Sequence, residues 1–389
     1  MHVVVLTLNR GRGSGCVARD QAASLLAAGH RVTYLYAGMS ERVMGADNID
    51  VQLHSPTVPV HEYLPAAEAD QLRVSSMSAA VARRYTADFV AALSAIDGVD
   101  LIVAHHATIT SVAARVVAKS RHIPYVVFAH GTGIEPRHHG GYADQIWDAI
   151  AGSLVDASGI IVTTDYVRDS LVRPLVDVPV SRFIVLPCGV DSMDFEPPPG
   201  TDIKAKYKLP ERYVVCPGAL TYAKGPQNVV AASSFYADLA PTIFIGDGDI
   251  ADELESALGS RGRLLGYVPT VDKDALIKAA TVLTAAPVKR EHFGIIYVEA
   301  MAAGAVPVAY SGGGVDSIVL PDCGVLTQRA PRALGTAIRS LLLDDWRRTQ
   351  LAAAGQLRAR AEFDKSVLGR RFVEFAKSLA MWSPAEAVG

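Results

Sequence analysis

Along the chain, short runs of β-branched and aliphatic residues recur, each followed by a polar or glycine-bearing turn and then by an Ala/Leu-rich stretch with helical spacing. The first cycle reads "HVVVLTL", then "NRGRGSG", then a stretch from Cys16 to Ala28 closed by Gly29, then "RVTYLYA". This predicts strand, glycine loop, helix, helix-ending glycine and strand, a βαβ unit. The cycle returns with "VDLIVAHH", a helix over 108–120 and "PYVVFAHG", then with a helix over 143–157, "GIIVTTD" and "RFIVLPCGVD". A second series opens after "FEPPPGTD" with "YVVCPGAL", a helix near 225–237, "TIFIGDGD" and a helix near 250–259. It continues with "RLLGYV", a helix near 272–280, "VLTAAP", a helix from 294 and "VPVAYS". Short apolar strands alternating with helices predict parallel sheets covered on both faces, and two series predict two doubly wound α/β domains. Consecutive prolines continue neither strand nor helix, so "EPPPG" at 196–200 marks the surface link, with the boundary near 185–200. Ligands of such sheets bind at the carboxyl ends of the strands, so the chemistry is expected in those loops, in a cleft between two facing domains.

Composition narrows the partners. A chain of 389 residues, half of them apolar, can fill two cores. A net charge of -3 with a pI near 6.4 and no dense Lys/Arg block excludes the electrostatic footprint of a nucleic-acid binder or a polybasic membrane patch. Cys16, Cys188, Cys216 and Cys323 are widely spaced without a CxxC, which argues against a zinc site or disulfide framework. The opening "MHVVVLTLNRGRGSG" has neither the basic lead nor the apolar length of a leader, and no later run has the length of a membrane span. The expectation is a soluble cytoplasmic protein without stable membrane insertion, whose partner is small or weakly charged.

Candidate chemistry sits at the strand ends. Gly11, Gly13 and Gly15 resemble a dinucleotide fingerprint, but its last glycine falls on Cys16 and the second strand ends "YLYAG", without an acid for a ribose. NAD is therefore disfavoured; Gly13 and Gly15 serve either a plain turn or a close backbone approach to a ligand. His130 ends a strand ahead of a loop bearing Glu135, Arg137, His138 and His139, whose spacings match no helix-borne metal pair. His138 and His139 read as surface residues, while His130 is open to a structural or a functional role. Lys224, just before a helix that starts at Pro226, is placed for a phosphate, although an exposed lysine is the ordinary alternative. In "REHFGIIYVEAMAAG" the free N–H groups near Gly294, Ile295 and Ile296 make an anion site at a helix start. Glu291 before that helix and Glu299 within it suit two different pairs of hydroxyls, since carboxylates are bidentate acceptors. Taken alone, a capping acid and an ordinary helix glutamate explain the same letters.

Further motifs join these. "EHFGIIYVEAMAAGAVPVAYSGGGVDSIV" resembles the E-x7-E region of the retaining glycosyltransferases of family 4, "VLPCGVDSMDF" their linker with Cys188 for the usual Asn, and "FIGDGDIADELE" their Gly-x-Gly turn. "LLGYVP" is similar to their nucleobase-side loop and "AAGHRVTYL" to their first-helix exit, and the matches keep the family's order from about residue 1 to 365. The resemblance implies a GT-B fold of two Rossmann-like domains facing a cleft: residues 1–185 for the acceptor, 186–371 for the nucleotide-sugar donor, and a helix over 372–389 packing back on the first. It implies that Glu291 holds donor-sugar hydroxyls, that the backbone at Phe293, Gly294, Ile295 and Ile296 holds sugar and distal phosphate, and that Glu299 binds the ribose diol. Lys224 would hold the diphosphate, Tyr267 and Val268 the base, His130 the reacting sugar, and Gly13 or Gly15 would lie near the phosphate. No metal or other cofactor is implied, because Lys224 and the helix terminus neutralise the leaving group's charge.

The implied reaction is transfer of a hexose with retention from a nucleotide sugar, UDP being the family's common base, by a front-face path in which the departing phosphate takes the acceptor's proton. A soluble polar acceptor is expected, such as an aminocyclitol or other secondary-metabolite core, with Glu135 and Asp144 as contacts for amines. Lipid or cell-envelope glycosylation and a non-catalytic binding protein of the same fold are the rivals, with a GT-B epimerase or phosphorylase behind them. One departure stands out: the family reads Gly-Arg-Leu before the lysine, and here Ala219 replaces the arginine. Losing such a charge-assisted contact costs about 1.5 to 3 kcal/mol unless Lys289 or Arg290, in the loop beside Glu291, replaces it; Arg290 is the expected substitute, with an unusual donor or slow turnover as the alternatives.

Overall fold

The computed structural model describes residues 1–8, 13–38, 41–61, 72–195 and 202–380. Gly11, the "EPPPG" link and positions 381–389 of the expected terminal helix lie outside the described residues. The chain divides into two compact units, Met1–Pro187 with Leu368–Gly389, and Cys188–Val367.

The first unit contains strands β1 (His2–Leu6), β2 (Arg31–Tyr36), β3 (Asp47–Asp50), β4 (Pro59–Val60), β5 (Leu72–Arg73), β6 (Leu101–His105), β7 (Tyr125–Ala129), β8 (Gly159–Val162) and β9 (Phe183–Val185). Seven of them form a parallel sheet in the order β3-β2-β1-β6-β7-β8-β9, and β4 pairs with β5 apart from it. The second unit contains β10 (Val214–Pro217), β11 (Thr242–Ile245), β12 (Gly262–Leu264), β13 (Val282–Ala285), β14 (Val306–Tyr310) and β15 (Val325–Thr327), in the parallel order β12-β11-β10-β13-β14-β15. Both sheets are α/β and doubly wound, and the apolar alternation shows why. Val4, Leu6, Ile102 and Val127 feed the core on one face of the first sheet, while Val3, Val5, Val103 and Phe128 feed the core on the other. In the second, Val215, Ile243 and Leu283 face one core and Val214, Phe244 and Val282 the opposite one. Because a strand's side chains alternate, only a run that is apolar throughout can fill both.

Both sheets reverse direction of winding at their centre, between β1 and β6 in the first unit and between β10 and β13 in the second. There the loops leaving adjacent strands run to opposite faces and open a crevice at the carboxyl ends.

The helix Lys365–Ala380 belongs to the first unit from Leu368 onward, where Leu368, Phe372, Val373 and Ala376 join Ala18, Ala22 and Leu25 over β1. The change of unit therefore falls at Leu368, ahead of residue 372, because Leu368 is already buried in that core. The helix expected over 225–237 stops at Ser233: Arg261 Nη1 takes the Val230 carbonyl at 2.8 Å and the Ser233 hydroxyl bonds back to the same carbonyl at 2.7 Å. Helices Ala79–Ser94, Pro331–Leu343 and Asp345–Arg358 and strands β3 and β15 complete the layers. No helix of the described residues is long and apolar enough to cross a membrane.

Candidate active site

In the second unit the switch-point loops leave β10 and β13, and they are tied to each other by backbone. Val288 N–H donates to the Ala223 carbonyl at 3.1 Å, and Asn228 Nδ2 donates to the Ala286 carbonyl at 2.9 Å. Gly225 makes the approach possible: a Cβ there would stand 1.9 Å from the Ala286 oxygen, and its φ of +71° suits glycine. This docking brings Lys224 Nζ to 3.8 Å from Glu291 Oε1, with the lysine side chain 58% exposed. Lys224 itself ends a short turn capped by Thr221, whose hydroxyl accepts from the Lys224 N–H.

Glu291 is fixed through its backbone, which pairs with Gly313; its carbonyl accepts from Gly314 N–H at 2.7 Å. Arg329 secures the preceding turn: Nη2 donates to the carbonyls of Pro287 at 2.6 Å and Val288 at 2.9 Å, while the guanidinium lies over the Tyr310 ring. Exposed Arg290 runs along the turn at Gly312, where an added Cβ would lie 3.6 Å from its Nε. Gly294, at φ +90°, precedes the helix Ile295–Ala303 and gives it no side-chain cap, while its carbonyl accepts from the Tyr297 N–H at 3.0 Å. The Phe293 ring is buried against Phe363, so this residue offers only its backbone, and Ile295 and Ile296 pack partly into the same core.

Glu299, one turn further along, receives a hydrogen bond from Lys273 Nζ at 2.9 Å, and Lys273 also meets Asp274 at 3.0 Å. Burial works to lower the Lys273 ammonium's pKa, yet Glu299 and Asp274 outweigh it and leave it raised. The glutamate is thus held by a cation. Tyr267 projects a ring that is 82% exposed, whereas the Val268 side chain is in the core and can offer a base only its backbone. Ala219 lies in the loop after β10, its carbonyl accepting from the Thr221 N–H.

In the first unit, the helix after β1 begins at Gly13, and Gly15 is buried in its first turn. His130 follows β7, 8% exposed, with its ring stacked on Phe128 at 4.1 Å. Three histidines surround it. His105 Nδ1 is 3.0 Å from His130 Nε2, the His106 ring lies 4.7 Å away, and His61 stacks on His106 at 3.6 Å. Burial lowers the pKa of all four, to about 3 for His61 and His105, so the cluster is neutral near pH 7. His106, the first residue after β6, has φ +69°, a left-handed conformation uncommon outside glycine. Glu135 opens the short helix Glu135–His138, and exposed Asp144 pairs with Arg137 at 3.0 Å. No group of three His, Cys, Asp or Glu among the described residues is arranged to hold a metal ion.

His105, His61, Lys273 and Arg329 were not singled out from the sequence. "VDLIVAHH" already carried the signal for His105, a polar pair closing an apolar strand, but the partners of Lys273 and Arg329 are set by tertiary packing alone.

Two doubly wound parallel sheets, one in each unit and each with its polar loops at the central reversal, are the two Rossmann-like halves of the GT-B class. The fold of sucrose-phosphate synthase from Thermosynechococcus elongatus is similar at a TM-score of 0.79, 19% identity and coverage of 97% of this chain and 99% of that one. Anabaena HepE, solved with UDP, matches at 0.76 and 18% identity over 97% of this chain and 100% of its own. A family model described as glycosyl transferases group 1 matches residues 201–358, and one described as glycosyltransferase family 4 matches residues 11–193. The chain belongs to the group 1 GT-B glycosyltransferases. A D-inositol 3-phosphate glycosyltransferase of Xylanimonas cellulosilytica is 31% identical over 224 residues, which is 52% of this chain and 53% of that protein. An alpha-maltose-1-phosphate synthase of Mycolicibacterium smegmatis is 26% identical over 311 residues, 72% of this chain and 79% of its own. Against the first of these relatives the chain spans about half of the relative's length.

Proposed function

We propose that the protein transfers a sugar, with retention of anomeric configuration, from a nucleoside diphosphate sugar, a UDP-sugar in the favoured case, to a hydroxyl of a soluble polar acceptor. The observation that carries this reading is the meeting of Lys224 and Glu291 at the switch point of the second unit, beside an uncapped helix start. A cation and the N–H groups of a helix start suit a diphosphate, a carboxylate beside them suits sugar hydroxyls, and the Lys273-held Glu299 suits a ribose diol. In the proposed step the bond from the anomeric carbon to the diphosphate oxygen breaks and a bond from the acceptor oxygen forms on the same face. The acceptor proton passes to the departing oxygen, whose negative charge Lys224 and the helix terminus stabilise without a metal. His130 donates a hydrogen bond to the transferred sugar, and Arg290 replaces the cation missing at Ala219. Relatives named for inositol 3-phosphate and maltose 1-phosphate support a polar, phosphorylated acceptor.

A cell-envelope acceptor is the second reading, favoured by a relative from Mycobacterium tuberculosis, 27% identical over 218 residues, named as a GDP-mannose-dependent mannosyltransferase of a phosphatidylinositol monomannoside. Thermal unfolding with UDP, GDP, ADP, dTDP and CMP separates the two. A ligand at 100 times its dissociation constant stabilises by about 2.7 kcal/mol. A shift with UDP alone is the expected result, followed by an NMR spectrum of the product with the donor's anomeric configuration. A GDP-selective shift favours the second reading, and no shift with any nucleotide overturns both.

A further inference from the structure

We infer that His105 is a positioning residue that fixes the tautomer of His130, so that His130 carries its proton on Nδ1 and presents an N–H donor to its ligand. The inference builds on the proposed role of His130 in sugar transfer, and it rests on where one proton must lie. His105 Nδ1 and His130 Nε2 are 3.0 Å apart, so one ring donates and the other accepts. The other nitrogen of His105, Nε2, is buried and meets no hydrogen-bond partner among the described residues. A proton on that nitrogen would make an orphaned buried N–H, rarer in native proteins than an under-used acceptor. The His105 proton therefore belongs on Nδ1, aimed at His130 Nε2, and a neutral His130 that accepts there holds its own proton on Nδ1.

Both rings are placed to keep this arrangement. His105 is the last residue of β6, 1% exposed; its carbonyl accepts from the Thr110 hydroxyl at 3.0 Å and its ring stacks on Phe128 at 5.2 Å. The same Phe128 ring lies parallel to His130, and His106 covers another side of it. Three aromatic neighbours leave His130 little freedom to flip, so the choice of tautomer is made by the one polar contact, His105.

The consequence concerns the sugar. A His130 with a bare nitrogen toward the ligand would act as an acceptor for a hydroxyl proton. With Nδ1–H toward the ligand it donates to a hydroxyl oxygen and cannot remove a proton. That agrees with a path in which the departing phosphate, and no side chain, takes the acceptor's proton.

The test uses the full-length protein labelled with 15N at histidine, His130 being assigned by its loss in His130→Phe. Long-range 1H–15N correlation should show His130 as the Nδ1–H form in the wild type and in His105→Asn, whose amide N–H occupies the position of His105 Nδ1. In His105→Phe the Nε2–H form should become populated. Once a donor and acceptor are known, His105→Phe should lower kcat about tenfold while the donor KM changes less than about threefold, with rescue by His105→Asn. A wild-type His130 protonated on Nε2 overturns the inference even if no variant folds, as does an unchanged tautomer in a folded His105→Phe. The spectrum needs no substrate. If the tautomer is as inferred and His130→Ala transfers sugar at the wild-type rate, the role of His130 in the reaction falls while the action of His105 on it stands.

Discussion

Lys224 and Glu291 form a solvent-facing ion pair, and such pairs contribute about 0 to 1 kcal/mol to stability, so their meeting does little to hold the fold. Its use lies in availability: an arriving diphosphate can take the lysine and a sugar hydroxyl the glutamate at little cost. Arg290 is exposed beside them, and Arg290→Ala is expected to weaken donor binding or turnover by roughly ten- to over a hundred-fold if it replaces the cation missing at Ala219. Isothermal titration with the nucleotide that gives the thermal shift, together with steady-state rates, checks this; unchanged values leave Ala219 uncompensated by Arg290. At this scale the sequence is partly readable. Lys224, Glu291 and Glu299 are charged residues at junctions of strand and helix, and the strand pattern alone locates those junctions. That Phe293 and Val268 bury their side chains was hidden, because an apolar residue in a loop can point either way. Lys273 is equally opaque: its neighbours in sequence, Asp272 and Asp274, give no hint that it reaches Glu299 on another helix.

Among the elements, the central parallel strands were legible because a strand buried on both faces must be apolar at every position, a pattern that helices and loops do not imitate over the same length. Of the edge strands, β9 and β12 were legible in "RFIVL" and "RLLGYV", whereas β3 was not: it reads "DNID", half polar, and is held by pairing with β2. The helix Ala79–Ser94 carried a usable signal in Ala82, Tyr85, Phe89 and Leu93, spaced to form one buried stripe, yet it sits outside the alternation that organises the rest. The two loops at the second switch point behave as one element, and Gly225 is the joint. Gly225→Ala is expected to destabilise by about 1 to 3 kcal/mol from the clash with the Ala286 carbonyl, in addition to the strain of its positive φ. Gly29→Ala is the control, since a Cβ there meets nothing within 4 Å and only the strain of φ +80°, about 1 to 2 kcal/mol, remains. Urea unfolding of both variants measures the difference, and equal losses would show that the approach of the two loops is not tight.

For the molecule as a whole, histidine is distributed unevenly. His105, His106 and His130 are buried in the first unit with His61 half-buried beside them, and desolvation depresses each below the ordinary 6.5 of an unfolded chain. The unfolded chain therefore binds more protons below that pH, and the stability present above 6.5 is lost progressively as pH falls toward about 3, where His61 and His105 titrate in the folded state. Each such group contributes about 1.4 kcal/mol per pH unit in that window, so four give at most about 5.5 kcal/mol per pH unit. The second unit carries no such histidine cluster, its one histidine being His292, so this loss is expected in the first unit. Unfolding monitored at buried Trp147 in the first unit and at exposed Trp346 in the second separates the two, and a constant midpoint at Trp147 over that window would contradict the buried cluster.

The helix Lys365–Ala380 lends the first unit a piece of core that follows the second unit in sequence: Leu368, Phe372 and Val373, each worth about 1.5 to 3 kcal/mol of apolar burial. A ribosome delivers residues in order, and the first unit's opening strands emerge long before that piece is made. The second unit, continuous from Cys188 to Val367, holds its whole sequence earlier than the first does. The unit that begins the chain is therefore the last to be completed, and until then Val3, Val5 and Ala22 lack part of their cover. A chain stopped just before Leu368 would release one finished unit and one with an open apolar face.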